Sequence, residues 1–295
     1  MPLHSANVGI STDAVTQDID ARWLMAYAAS LNDLNPFYLD THEHTVLAHP
    51  VFPVCLEWTL STAFANQPDV LHPTREESAR AVHSAHDIHL HRPIRAGDRL
   101  TTQATLLGVR TRASGGASIV RFDTLDVNTG ELVVRSYQTA VYRGVRVEGP
   151  DLSSDEMPTT PDSKLVDPIL ESAIEVPAGA AHVYTECARI WNPIHTDRAI
   201  ALSAGLPDII LHGTATLALA VSQIVKNYAS GEPSCISRLG CRFSGYVLMP
   251  NTLTLQCSLN DNVVSFQVLD GEGKLVISKG FACIRHDDRV CHLTE

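Results

Sequence analysis

The chain contains no apolar run of about 18 residues, so nothing in it predicts a membrane-spanning helix. Its first residues, Met1-Pro2-Leu3-His4-Ser5-Ala6-Asn7, lack the basic and apolar regions of a secretory leader. Its last residues, Cys291-His292-Leu293-Thr294-Glu295, form neither a peroxisomal tripeptide nor an ER-retention signal, and a cytoplasmic location is the expectation. Basic residues are few: 22 Lys and Arg stand against 33 Asp and Glu, a formal net charge of −11. That balance argues against a nucleic-acid partner, which needs a basic stripe, but leaves room for a few arginines around a phosphate. Any C-x-x-C pair is missing as well. The seven cysteines, Cys55, Cys187, Cys235, Cys241, Cys257, Cys283 and Cys291, are scattered and odd in number, which predicts reduced thiols rather than a disulfide framework or a zinc site.

What is present is repetition. At 295 residues and 44% hydrophobic content the chain suits one large domain or two of about 100–150 residues. A helical pattern from Thr16, with Trp23, Leu24, Tyr27, Ala28 and Leu31 on one face, ends at Asn32-Asp33-Leu34-Asn35-Pro36-Phe37-Tyr38-Leu39-Asp40. A second helical pattern ends at Arg189-Ile190-Trp191-Asn192-Pro193-Ile194-His195-Thr196-Asp197. Each Asn-Pro is a turn signal, and proline biases the residue before it away from the helix. His49-Pro50-Val51-Phe52 answers the first turn, and Ile209-Ile210-Leu211-His212-Gly213-Thr214 answers the second, each followed by a helical segment. Strands are expected after the first helical segment, at 88–91, 100–107, 117–124 and 132–142 with a hairpin at Asn128-Thr129-Gly130, and after the second at 253–259, 263–269 and 275–283. The spacings agree: Asn35 to Asn192 is 157 residues, His49 to His212 is 163, and Leu100 to Leu253 is 153. Residues 149–162, acidic, proline-rich and without an aromatic, read as the linker between repeats at 1–148 and 163–295.

The second turn carries the candidate chemistry. His195 lies just past a helix end, where an imidazole neutral near pH 7 can move protons. Gly213 opens a helix whose first N–H groups lack intrahelical partners and can hold a developing oxyanion. His83, His86, His89 and His91 lack a standard ligand spacing and read as a solvated or interface strand, with no metal expected. Arg92, Arg95, Arg99, Arg238 and Arg242 suit either phosphates or ordinary salt bridges.

The stretch Asn192-Pro193-Ile194-His195-x-Asp197, followed by His212-Gly213, resembles the MaoC-like family, which includes the R-specific enoyl-CoA hydratases. The resemblance is strong over 180–225 and weaker over 20–145. It implies an α+β double hot-dog fold: two repeats, each a central helix wrapped by a curved antiparallel sheet, forming a pseudo-dimer within one chain and leaving a homodimer of whole chains open. It further implies a small acyl thioester substrate on CoA or a carrier protein, no cofactor, and His195, Gly213 and Asn192 in the catalytic set. One position departs. The family's catalytic aspartate falls on Ile190, and the small glycine before it on Arg189. The first repeat shows the reverse, with Asp33 at the aspartate position, Tyr38 for the histidine and Pro50 for the glycine, so ligand is expected beside His195 and Gly213 and the first site is expected to be degenerate. Ile190, Arg189, His212 and Asp33 are the candidate substrate contacts. Three readings follow: another acid, with Asp33 the candidate, stands in for the missing one in a hydratase or dehydratase; His195 works alone in a dehydration, isomerisation or cyclisation; or the site only binds its thioester.

Overall fold

The structure, a computed structural model, describes residues 3–285 except 65, 66, 68, 69 and 156, so Cys291 and the C-terminal pentapeptide lie outside the described residues. The six other cysteines are free thiols.

The first repeat begins with a short strand β1 (Leu3–His4), followed by β2 (Val15–Asp18), helix α1 (Ala21–Ser30), a short helix α2 (Pro36–Leu39) and the central helix α3 (Pro53–Ala63). The one-turn α4 (Arg75–Ser78) precedes four long strands, of which β3 (Ala81–Leu90), β4 (Arg99–Arg112), β5 (Gly115–Asp126) and β6 (Leu132–Arg143) form the wrap. Two short strands, β7 (Val147–Glu148) and β8 (Leu152–Ser153), lead out of it. The second repeat runs β9 (Leu170–Val176), α5 (Ala180–Ala188), a 3-10 turn at Pro193–His195, α6 (Arg198–Ser203) and the central helix α7 (Gly213–Tyr228). Strands β10 (Ile236–Phe243), β11 (Asn251–Asn260), β12 (Val263–Leu269) and β13 (Leu275–Ile284) complete it.

One sheet runs through both repeats in the order β2-β4-β5-β6-β3-β10-β13-β12-β11-β9, with β8 added on β4. Its pairs are antiparallel, and the order reads the same from both ends about the β3–β10 seam, where Arg238 faces His89 and Arg242 faces Ala85. The expected double hot-dog is therefore observed, with two central helices. Alternation on β11 turns Leu253, Leu255 and Cys257 inward, all fully buried. They cover α7, whose alanines and valines at Ala215, Ala218, Ala220 and Val221 keep it thin enough to be buried on most sides.

The short helices α1 and α5 meet at the centre of the molecule. Tyr27 and Tyr184, 157 residues apart like the two Asn-Pro turns, bring their hydroxyls to 3.2 Å, and Tyr184 donates onward to Thr214 Oγ1 at 3.2 Å. Trp23 Nε1 donates to the Cys187 carbonyl at 3.0 Å. Burial of these groups is affordable because each has a partner across the pseudo-twofold.

One expectation needs correction. Residues 15–18 form β2 on the edge of β4 and not the start of a helix: Val15 and Thr16 are β-branched, and α1 begins only after Asp20, whose carboxylate caps the Trp23 N–H at 2.8 Å. The stretch between the repeats packs on both of them. β8 pairs with Gly108 and Val109, Arg238 donates to the Thr159 carbonyl at 3.0 Å, and Ser265 donates to the Asp162 carbonyl at 3.4 Å.

Candidate active site

The site grows from the end of α5. Arg189 takes the left-handed conformation (φ 59°), as its counterpart Asn32 does (φ 53°), and turns the chain out of the helix. Asn192 then accepts the Ile194 N–H on its side chain at 3.4 Å, and Pro193 starts the 3-10 turn. His195, 8% exposed, comes to rest with Nδ1 2.8 Å from the Ile210 carbonyl. A carbonyl only accepts, so the proton sits on Nδ1 and the Nε2 lone pair is left free. Burial holds this imidazole down to about 4, against a smaller upward pull from the Ile210 carbonyl, so it is neutral at pH 7.

His195 stacks on His212, with ring centroids 3.6 Å apart and planes at 25°. His212 is buried, and its Nε2 lies 3.2 Å from Thr185 Oγ1 and 3.4 Å from the Ile190 carbonyl. The carbonyl again assigns the proton to Nε2, leaving Nδ1 buried without a partner. Burial first, and then the neighbouring His195, push its pKa well down. Two neutral rings in contact thus form one wall. The next residue, Gly213, opens α7, and His212 supplies no side-chain cap there. The first N–H groups of α7 are therefore open donors at the positive end of a helix of 16 residues. A Cβ at Gly213 would sit 2.9 Å from Phe243 Cδ1, so packing alone also demands glycine.

Ile190 is 6% exposed and belongs to the main core, contributing its carbonyl to His212 and no side-chain acid to the site. The Arg189 guanidinium lies over the Trp23 ring, 3.9 Å from the centroid. Asn192 acts on the turn, as a cap.

The first repeat builds the same place differently. Tyr38 is fully buried with an unpartnered hydroxyl. His49 accepts the Val51 N–H on Nδ1 at 3.1 Å, and its Nε2 lies 3.2 Å from Ser222 Oγ of α7. Burial lowers His49 to about 4, with Asp33 pulling the other way. Pro50 has no N–H, and the regular helix starts three residues later at Pro53. Beside these residues a cleft of about 730 Å³ opens between Asn32, Asp33 and Asn35 on one side and Ser222, Gln223 and Lys226 on the other.

Asp33 lines the first-repeat cleft together with Ser222, Gln223 and Lys226 of α7, whereas His195 stacks on His212, the residue before that helix begins at Gly213. The histidine strand lies at the seam. His86 is buried, with Nε2 3.1 Å from Glu57 Oε2 and Nδ1 3.1 Å from His83 Nε2, and Ser136 donates to Glu57 Oε1. Arg92 pairs with Asp98 and Asp126, each at 2.7 Å, and Arg238 pairs with Asp87 at 2.7 Å, so both are occupied within the chain. Thr185, Phe243 and Ser222 were not legible as site residues, since each reaches the site from another element. Tyr184 had a signal in its 157-residue spacing from Tyr27.

Comparison with known proteins agrees with this geometry. A MaoC like domain matches residues 168–280, and a FAS1-like dehydratase domain region matches residues 6–136. The chain is 24% identical over 213 residues to the peroxisomal enoyl-CoA hydratase 2 of Arabidopsis thaliana, covering 69% of this chain and 68% of that protein. It is 28% identical over 186 residues to 3-hydroxyacyl-thioester dehydratase Y of Mycobacterium tuberculosis, covering 60% of this chain and 61% of that one. With the probable enoyl-CoA hydratase 2 of Dictyostelium discoideum the match spans 63% of that protein, less than two thirds of its length. Among solved structures, a MaoC-like dehydratase from Phytophthora capsici superposes with a TM-score of 0.84 at 19% identity, covering 96% of this chain and 98% of that one. A conserved hypothetical Mycobacterium tuberculosis protein described as a double hot-dog fold superposes with a TM-score of 0.63 at 15% identity, covering 95% of this chain and 96% of that one. The chain thus carries a MaoC like domain over 168–280 and a FAS1-like dehydratase domain region over 6–136, and its fold is the double hot-dog.

Proposed function

We propose that the protein is a hydro-lyase acting on an acyl thioester, an enoyl or 3-hydroxyacyl group carried on CoA or a carrier protein, and that His195 is its proton-transfer group. The observation that carries this reading is the His195 tautomer. Its Nδ1–H is tied to the Ile210 carbonyl, so the Nε2 lone pair is left free on a ring stacked against His212, the residue before Gly213. In hydration, Nε2 takes a proton from water as the oxygen adds to the β-carbon, charge collects on the thioester oxygen, and the Gly213 N–H receives it. The imidazolium then returns its proton to the α-carbon. One imidazole serves as base and then as acid, because Ile190 supplies no second group. Enoyl-CoA hydratase 2 and 3-hydroxyacyl-thioester dehydratase Y among the relatives support the substrate class.

Steady-state hydration of crotonyl-CoA by wild type, Ile190→Asp and His195→Ala tests it. The expected order is slow turnover by wild type, faster hydration by Ile190→Asp, and none above background by His195→Ala. Unchanged turnover in His195→Ala would overturn the assignment. A second reading, a proton-shuffling isomerase or cyclase, is favoured by the buried apolar Ile190, which dries the side of the site where water would be held. It predicts a native reaction in which no oxygen from solvent enters the product and which Ile190→Asp slows.

A further inference from the structure

The cleft at the first repeat is larger and more polar than a degenerate site requires. Its volume of about 730 Å³ falls in the range of small-molecule sites. Two of its groups have hydrogen-bonding capacity left for a ligand. The first is the Ser222 hydroxyl. The Val51 N–H can only donate, so His49 Nδ1, which receives it at 3.1 Å, carries no proton. The proton of the neutral ring is then on Nε2, which lies 3.2 Å from Ser222 Oγ and donates to it. Ser222 Oγ accepts this bond, so its own O–H is not spent on His49, and Ser222 lines the cleft. The second is the Asp33 carboxylate. Oδ1 accepts the Asn35 N–H at 3.2 Å, which ties the group to its turn, and Asp33 lines the cleft with acceptor capacity to spare. Asn35 is itself anchored, donating to the Gly231 carbonyl at 2.6 Å. An exposed ammonium, Lys226, stands at the rim.

A hydroxyl donor and a carboxylate acceptor lining one cleft match a ligand with a carbonyl at one position and a hydroxyl a few bonds away. We propose that the first-repeat cleft is a second binding site for a 3-hydroxyacyl thioester, with the Ser222 hydroxyl donating to the thioester carbonyl and Asp33 accepting from the 3-hydroxyl. Ser222 supplies from α7 the donor that Pro50 cannot supply from the backbone. Lys226 faces the anionic carrier. The thioester rests on the function proposed above, while the hydroxyl–carbonyl pairing rests on the cleft alone.

The test is calorimetric titration of the full chain with 3-hydroxybutyryl-CoA and with butyryl-CoA, which lacks the hydroxyl, using the His195→Ala background to suppress turnover. The expected result is two equivalents of 3-hydroxybutyryl-CoA bound. Asp33→Asn and Ser222→Ala should each weaken one of the two sites by tenfold or more, and butyryl-CoA should bind that site as weakly as 3-hydroxybutyryl-CoA binds it in Asp33→Asn. Hydrogen exchange provides a measurement independent of the variants' folding: 3-hydroxybutyryl-CoA should protect amides in 31–37 and 219–226 of the wild-type chain. A single equivalent bound, with no protection in those segments, would overturn the proposal. Turnover by His195→Ala reports separately on the catalytic assignment, so either reading can fail while the other stands.

Discussion

At the scale of single residues, His195 and His49 hold their imidazoles in opposite tautomers. His195 gives its Nδ1 proton to a carbonyl and keeps an Nε2 lone pair, so it can act as a base. His49 accepts a backbone N–H on Nδ1 and turns an N–H toward Ser222, so it can only hold a hydroxyl in place. For His195 the pH dependence follows from its burial. The base is active when neutral and is lost as pH falls through its folded value, so the acid limb of kcat/KM should fall at about 4 and not at the ordinary 6.5. A pH–rate profile from 3.5 to 8 checks this. At Gly213, alanine would drive a Cβ into the Phe243 ring. Gly213→Ala keeps the backbone N–H but must shift it to relieve the Phe243 clash, so it should reduce kcat/KM by about 10²-fold or more, and Phe243→Ala in the same chain should restore part of the loss.

At the scale of elements, α1 and α5 are held by polar groups that water cannot reach. Tyr184 stands between Tyr27 and Thr214, and its hydroxyl is raised to a high pKa mainly by burial. Tyr184→Phe leaves the Tyr27 hydroxyl buried without its acceptor and should cost about 1–3 kcal/mol, read from the urea midpoint. The seam behind α3 makes a comparable demand. Glu57, 2% exposed, receives Ser136 and faces His86 at 3.1 Å. Glu57→Ala strands both partners in the core and should destabilise by about 3–5 kcal/mol, whereas Glu57→Gln keeps an acceptor for Ser136 and should cost less.

At the scale of the whole molecule, the continuous sheet and the shared centre make the two repeats one unit. Its weak side is acid. His49 and His195 are each held to about 4 by burial, below their ordinary 6.5. Between those values the unfolded chain binds protons that the folded chain does not, so stability is present above pH 6.5 and is lost as pH falls toward 4. The slope should approach roughly 1.4 kcal/mol per pH unit for each histidine. Denaturant midpoints measured from pH 7 to pH 4 check it, and a His49→Gln variant should show a shallower decline.

Much of this was written along the chain. The doubled Asn-Pro turns, the 157-residue spacing and the alternating strands determined two repeats of one helix-in-sheet unit, because turn chemistry and side-chain periodicity are local properties. The same local signals marked His195 and Gly213, whose positions are set by the turn before one and the helix after the other. They misread 15–18, where an edge strand depends on a partner 81 to 87 residues away. What only the tertiary structure decided is which groups meet: Ser222 behind His49, Phe243 against Gly213, Tyr27 on Tyr184, and Asp33 in one cleft with Ser222. These contacts arise when two repeats pack about a pseudo-twofold, and packing pairs residues by their distance in space, which no spacing along the chain encodes.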